Sequence, residues 1–144
     1  MNAALNLWVV LNRAHRAIRR HAEADMERHG LTPTEFGILE ALFHKGPVLL
    51  GELQKKILVS SGGVTYLVDR LTDKGLVERA ECEGDRRAKY VRLTKTGTAL
   101  ISKIFPAHEE VINRALNGLS RKEQQEAAAL IKTLGLAAEA MEQA

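Results

Sequence analysis

Between residues 50 and 93 the hydrophobic period changes from helical to extended, and the order of that change leaves few folds open. Val64, Leu67, Val68 and Leu71 fall at i, i+3, i+4 and i+7, the apolar stripe of a helix predicted over about 61–74. Just before it, Leu53 and Ile57 turn inward from a short helix over 51–58, and Ser60 stands where an N-cap is needed. Just after it, Lys74-Gly75 ends the helix. Two β-prone segments follow, Leu76-Val77-Glu78-Arg79-Ala80 and Lys89-Tyr90-Val91-Arg92-Leu93, joined by a polar link that contains Gly84-Asp85-Arg86-Arg87. Two adjacent helices and a basic antiparallel hairpin are therefore expected.

The flanks are helical. Residues 3–29 hold no Gly or Pro and place Leu7, Leu11, Ala14 and Ile18 on one stripe, so a long helix should end near Gly30. Thr32-Pro33-Thr34-Glu35 supplies an N-cap, a proline at the first helical position and a glutamate at the third, the capping-box arrangement. The helix it opens should carry Phe36, Leu39, Leu42 and Phe43 inward and stop at Gly46-Pro47, ahead of a short extended piece, Val48-Leu49-Leu50. Thr96 to about Asn117 reads as a further helix with Leu100, Ile104, Val111 and Ala115 on one side and a kink expected at Pro106. Ser120-Arg121-Lys122-Glu123 is a second capping box, and Leu130, Ile131, Leu134 and Met141 give the last helix its stripe. The fold class expected is mainly α with a small β-hairpin wing, in one domain over 1–144. Long helices at 1–30 and 98–144 flank a core at 31–97.

Charge locates the chemistry. Residues 50–97 carry ten Lys/Arg against seven Asp/Glu, whereas 98–144 carry five against six. Within 84–95, Arg86, Arg87, Lys89, Arg92 and Lys95 face only Asp85. The single Cys82 has no partner for an internal disulfide or a CxxC pair, which suits a reducing compartment. No apolar run approaches the roughly 18 residues of a membrane span, and Asn6, Asn12, Arg13 and His15 interrupt the N-terminal stretch before any cleavage-like site. A cytoplasmic protein with no membrane partner is expected. His15, His21, His29, His44 and His108 are scattered, so no metal site is expected. No G-x-S-x-G, P-loop, H-E-x-x-H or dinucleotide glycine run is present, which argues against an enzyme and against a bound cofactor.

A helix that presents Ser61, Thr65, Tyr66 and Arg70 can enter a major groove about 12 Å wide and meet base edges. Gly62 and Gly63 allow close backbone approach, the amides after Ser60 are donors for a phosphate, and Lys55 on the preceding helix can hold the flanking backbone, with Lys56 beside it. A hairpin bearing Arg86, Arg87 and Lys89 can reach a minor groove, and Asp85 can fix one guanidinium by a fork-like pair. Each feature has a plainer explanation, a helix start or a solvated turn; it is their adjacency that favours duplex DNA.

Residues from about 31 to 97 resemble the winged-helix core of the MarR family of bacterial regulators. The resemblance rests on Leu31-Thr32-Pro33-Thr34-Glu35-Phe36-Gly37-Ile38-Leu39, Ser60-Ser61-Gly62-Gly63-Val64-Thr65, Asp69-Arg70-Leu71, Lys74-Gly75-Leu76-Val77-Glu78-Arg79, Asp85-Arg86-Arg87 and Leu93-Thr94-Lys95-Thr96-Gly97. It implies a winged helix-turn-helix, a homodimer built by the terminal helices, and a ligand-responsive repressor on a pseudo-palindromic operator. It also implies that Asp85 orients Arg87 in the minor groove while Ser61, Thr65 and Tyr66 face the major groove.

Residues 57–70 and Ile104-Phe105-Pro106 resemble the branch of the family that responds to quinones and phenolic compounds, which implies a small effector of that kind. Trp8, His15, His44 and Phe105 are the residues that would wall such a pocket, although packing accounts for the same side chains. Cys82, near the wing, suits a small structural residue better than an oxidant sensor. The alternative function is a winged-helix module for protein or RNA contacts without operator specificity.

Overall fold

The computed structural model describes residues 2–57, 61–82 and 85–142. Helix α1 spans Ala3–Arg28, α2 Pro33–Lys45, α3 Leu50–Ile57 and α4 Ser61–Asp73. Strand β1 is Val48–Leu49, β2 Val77–Cys82 and β3 Asp85–Leu93, and helices α5 (Lys95–Ala115) and α6 (Arg121–Glu142) complete the chain.

Local chemistry sets most of these boundaries. Thr32 Oγ1 accepts from the Glu35 amide at 3.2 Å while Glu35 Oε1 accepts from the Thr32 amide at 3.1 Å, so the capping box closes in both directions. The box at Ser120 and Glu123 closes likewise, at 3.2 and 3.0 Å. Gly75 ends α4 at φ 75°, a left-handed conformation that costs a side-chain-bearing residue but not glycine.

The core is one cluster. Phe36, Ile38 and Leu39 of α2, Leu53 of α3, Val64, Val68 and Leu71 of α4, Val77 and Val91 of the sheet, and Ile101 and Ile104 of α5 are all buried. Phe43 departs from the expected inward set: it lies at the exposed margin of α2, beside His44 and Phe105. On α5 the buried line is Gly97, Ile101, Ile104 and His108; Ile104 is enclosed as expected, whereas Leu100, Val111 and Ala115 of the expected side are half-buried. α5 starts at Lys95 rather than Thr96 because Thr94 Oγ1 caps it, accepting from the Gly97 amide at 3.0 Å. Ile101 and Ile104 pack in the same core cluster as the winged elements.

The hairpin is part of a three-stranded antiparallel sheet in the order β1-β3-β2. Val48 pairs with Val91 and Leu49 with Tyr90, so the short extended piece after α2 is a sheet edge and β3 is central. β2 and β3 pair from Val77↔Leu93 to Cys82↔Asp85, with an irregularity between Glu81 and Cys82. The pairing runs further toward the tip than the sequence suggested, and the backbone of Asp85, Arg86 and Arg87 is strand rather than link.

Candidate nucleic-acid interface

α4 owes its position to the three side chains it buries. Val64, Val68 and Leu71 are each almost wholly enclosed against α2, α3 and β2, leaving Thr65, Tyr66, Asp69 and Arg70 on the exposed face at i, i+1, i+4 and i+5. Arg70 Nη1 donates to Tyr66 Oη at 3.3 Å, and its guanidinium carbon lies 5.8 Å from the ring centroid. The Tyr66 hydroxyl favours the charged form of Arg70 and holds its pKa above the ordinary arginine value. The two side chains thus offer a joined donor pair on the outer face.

Asp69 sits on that face as an acid where a phosphate would be repelled, and Arg79 of β2 neutralises it, Nη2 donating to Oδ1 at 2.6 Å. Arg79 was not among the residues singled out from the sequence. The signal available was an acid on a DNA-facing helix, which calls for a cation, but the ten-residue separation across the turn hides the partner. Lys74, at the end of α4, reaches back to α2 and donates to Glu35 Oε2 at 2.9 Å. Burial pushes the Glu35 carboxyl up, but Lys74 and the Thr32 amide outweigh it and hold the group below the usual carboxylate range. The exposed helix is therefore pinned at both sides to the body behind it.

The remaining predicted residues divide by position. Lys55 and Lys89 are exposed and line, with Leu49, Leu50 and Glu52, a cleft of about 630 Å³ between α3 and β3. Gly63 lies half-buried and Thr65 exposed on α4. The backbone of Ser61 and Gly62 forms the first turn of α4, and that of Asp85, Arg86 and Arg87 opens β3 at the tip end of the hairpin. Ser60 and Gly84 lie outside the described residues, as do the side chains of Ile57, Ser61, Cys82, Asp85, Arg86 and Arg87. α4 and the wing are joined through β2, which follows α4, packs against it and pairs with β3.

The four residues expected to wall an effector pocket do not meet within one chain. His44 and Phe105 are in edge contact, centroids 4.9 Å apart, with Phe43 6.1 Å from Phe105. Trp8 instead lies in a groove of about 370 Å³ between α1 and α6, with Leu7, Leu11, Ile131 and Leu134, and His15 is exposed on α1. The physical reason is the span of α1, whose N-terminal half faces α6 while its last turns pack on α5. Among the described residues no cluster of His, Cys, Asp or Glu stands at metal-holding distance, and no helix is long and apolar enough to cross a membrane.

A short helix, an amphipathic helix with a polar outer face and a two-stranded wing, all on one core, define a winged helix-turn-helix DNA-binding protein. The sequence model of the MarR family matches residues 29–88. The HTH-type transcriptional regulator MhqR of Bacillus subtilis (strain 168) is 40% identical over 133 residues, 92% of either chain. The HTH-type transcriptional repressor MdtR of the same organism is 30% identical over 114 residues, 79% of this chain and 74% of its own. Among solved structures, Sco3205 of Streptomyces coelicolor, a MarR family regulator in complex with DNA, superposes with a TM-score of 0.83. That likeness covers 94% of this chain and 88% of the other at 21% identity, and is one of fold. The chain belongs to the MarR family. It is a DNA-binding transcriptional regulator and not an enzyme; homodimers and responses to small ligands are typical of its relatives.

Proposed function

We propose that the protein is a cytoplasmic repressor that binds a pseudo-palindromic operator as a homodimer, with residues 31–97 as the DNA-binding part of a single unit and the terminal helices joining the two copies. The observation that carries the reading is the exposed face of α4, where Thr65, Tyr66, Asp69 and Arg70 stand outward from the stripe of buried Val64, Val68 and Leu71 and Arg79 neutralises Asp69. In this reading Ser61, Gly62, Gly63, Thr65, Tyr66 and Arg70 meet the major groove. Lys55, Ser60 and Lys89 hold the phosphate backbone, and Arg86 and Arg87, the latter oriented by Asp85, reach the minor groove.

Selection of duplexes from a random pool, with affinities compared at two salt concentrations, tests it. An inverted repeat with half-sites about one turn apart and steeply salt-sensitive binding is expected. Recovery of no sequence preference would leave a protein- or RNA-interaction module instead. Replacing the wing arginine, Arg87→Ala, should weaken operator binding by about 1–3 kcal/mol, and unchanged affinity would remove the wing from the interface.

A small quinone or phenol as effector is supported by the likeness of residues 57–70 and 104–106 to the branch that answers such compounds. The aromatic group of Phe43, His44 and Phe105 at the α2/α5 margin supports it too. Release of operator by members of a quinone and phenol panel is the expected result; indifference to the whole panel would sink this part.

A further inference from the structure

Three polar side chains are buried among the described residues: Asp25, Glu35 and His108. Glu35 is accounted for by its cap and by Lys74. The other two bond each other from positions 83 residues apart, His108 Nδ1 donating to Asp25 Oδ2 at 2.9 Å. The second oxygen of Asp25 faces Arg28 at 3.9 Å and His29 at 4.0 Å. The imidazole also lies against Phe36, ring centroids 4.4 Å apart at 45°. One contact therefore ties the last turns of α1, the middle of α5 and the start of α2.

Its place in the fold gives it a meaning beyond packing. Asp25 is the one buried residue among those described on α1, and His108 is the last of the buried line on α5. Beyond them Val111, Ile112 and Ala115 are half-buried, and α6 buries nothing within the chain. The pair is thus the final enclosed contact between the winged core and the helical arms.

A carboxylate in the last turn of a helix opposes the helix dipole, and enclosing it carries a desolvation cost. An apolar pair of the same volume would hold the helices together at least as well. What the polar pair supplies instead is a single direction and distance between α1 and α5.

We propose that Asp25 and His108 form the joint that fixes the angle between the winged core and the arms, and so the separation at which a dimer presents its two recognition helices. They are positioning residues for the simultaneous reading of two half-sites, and touch no DNA themselves. The inference rests on the dimeric operator reading above.

The test uses full-length Asp25→Asn, His108→Asn and the double variant. Each is measured on a duplex with one half-site, on the selected inverted repeat, and on repeats of shorter and longer spacing, with dimer dissociation followed in parallel. Wild-type affinity for the single half-site is expected to persist within about twofold, while affinity for the repeat falls about tenfold or more, because only the repeat requires both helices in register. Preference among spacings should flatten, and the double variant should lose no more than the worse single one, since both sever one contact.

Equal losses on half-site and repeat, a loss that tracks dimer dissociation, or an unaltered spacing preference would each overturn the joint. Asp25→Asn keeps the shape and one acceptor oxygen, so it decides alone should His108→Asn fail to fold; failure of both to fold assigns the pair to the fold and overturns the proposal. A wild-type protein without preference for any inverted repeat would remove the dimeric operator reading and this proposal with it. Wild-type preference retained in the variants removes the joint only.

Discussion

The winged core of this chain and its terminal arms carry nearly equal numbers of leucines, eleven over 31–97 and nine over 1–30 and 98–144, yet they end in opposite states. In the core every apolar position of the α4 stripe but Leu67 is enclosed, and α2, α5 and the sheet close round it. On α6 no residue is buried: Leu130 is 73% exposed and Ile131 51%, and across the groove on α1 Trp8 is 64% exposed. Exposed apolar surface of that extent marks a site of association. The core closes its apolar surface within one chain, whereas the arms leave theirs open. In the function proposed above, stability and DNA contact reside in the one region and dimerisation in the other.

The sharpest way to break the contrast is at the seam between β2 and α5, where the core tolerates no added atom. A Cβ at Gly97 would stand 1.9 Å from the carbonyl oxygen of Leu76, which itself accepts the Thr94 amide at 3.0 Å. Both groups are backbone, so neither can rotate away. Gly97→Ala should destabilise the folded chain by about 3 kcal/mol or more, at the upper end of overpacking costs. Chemical denaturation checks this, and a loss below about 1 kcal/mol would show that α5 is not seated on β2 as described.

The arms should respond differently. Ile131→Asp adds a charge to an exposed face, so within one chain it should cost less than about 0.5 kcal/mol. In a dimer the same change buries an unpaired carboxylate and should weaken association by about 2–5 kcal/mol. Sedimentation over a range of concentrations should therefore show monomers while circular dichroism still shows full helicity. A dimer of unchanged affinity would mean that α6 lies outside the interface.

How legible this was in the sequence follows the same division. Capping boxes at Thr32 and Ser120, glycine stops at Gly30 and Gly75, and the α4 stripe are local chemistry, and each fell where the residues indicated. Contacts between distant residues were not legible. β1 is too short to announce its pairing with β3, and the Asp69–Arg79 and Asp25–His108 pairs join positions whose nearness only the folded topology creates. On α5 the expected Ile104 is buried, but Leu100, Val111 and Ala115 stood in for Ile101 and His108 because both sets satisfy a helical period with it. Hydrophobicity alone does not reveal that a histidine is the residue enclosed. For the candidate interface, residue types on α4 pointed to the face that the fold leaves exposed, whereas the cation that pairs with Asp69 lay on another element.

The smallest effect distinguishes the two sides of the core rather than core from arms. Lys74 joins the end of α4 to the buried Glu35 on α2 and, with the Thr32 amide, holds the Glu35 carboxyl below the usual carboxylate range. A carboxyl depressed on folding contributes stability that is fully present above the unfolded value and is lost as pH falls through the folded one. Lys74→Met removes the cation that lowers it while leaving burial to raise it. The variant should be weaker by on the order of 1 kcal/mol at neutral pH, since the lysine is partly exposed and screened. Because its carboxyl is less depressed, the variant should lose less stability than wild type as pH falls through the carboxylate range, so that the two profiles converge in acid. Parallel acid profiles would show that the Thr32 cap alone depresses Glu35, and that the recognition helix is held to α2 by apolar packing without help from charge.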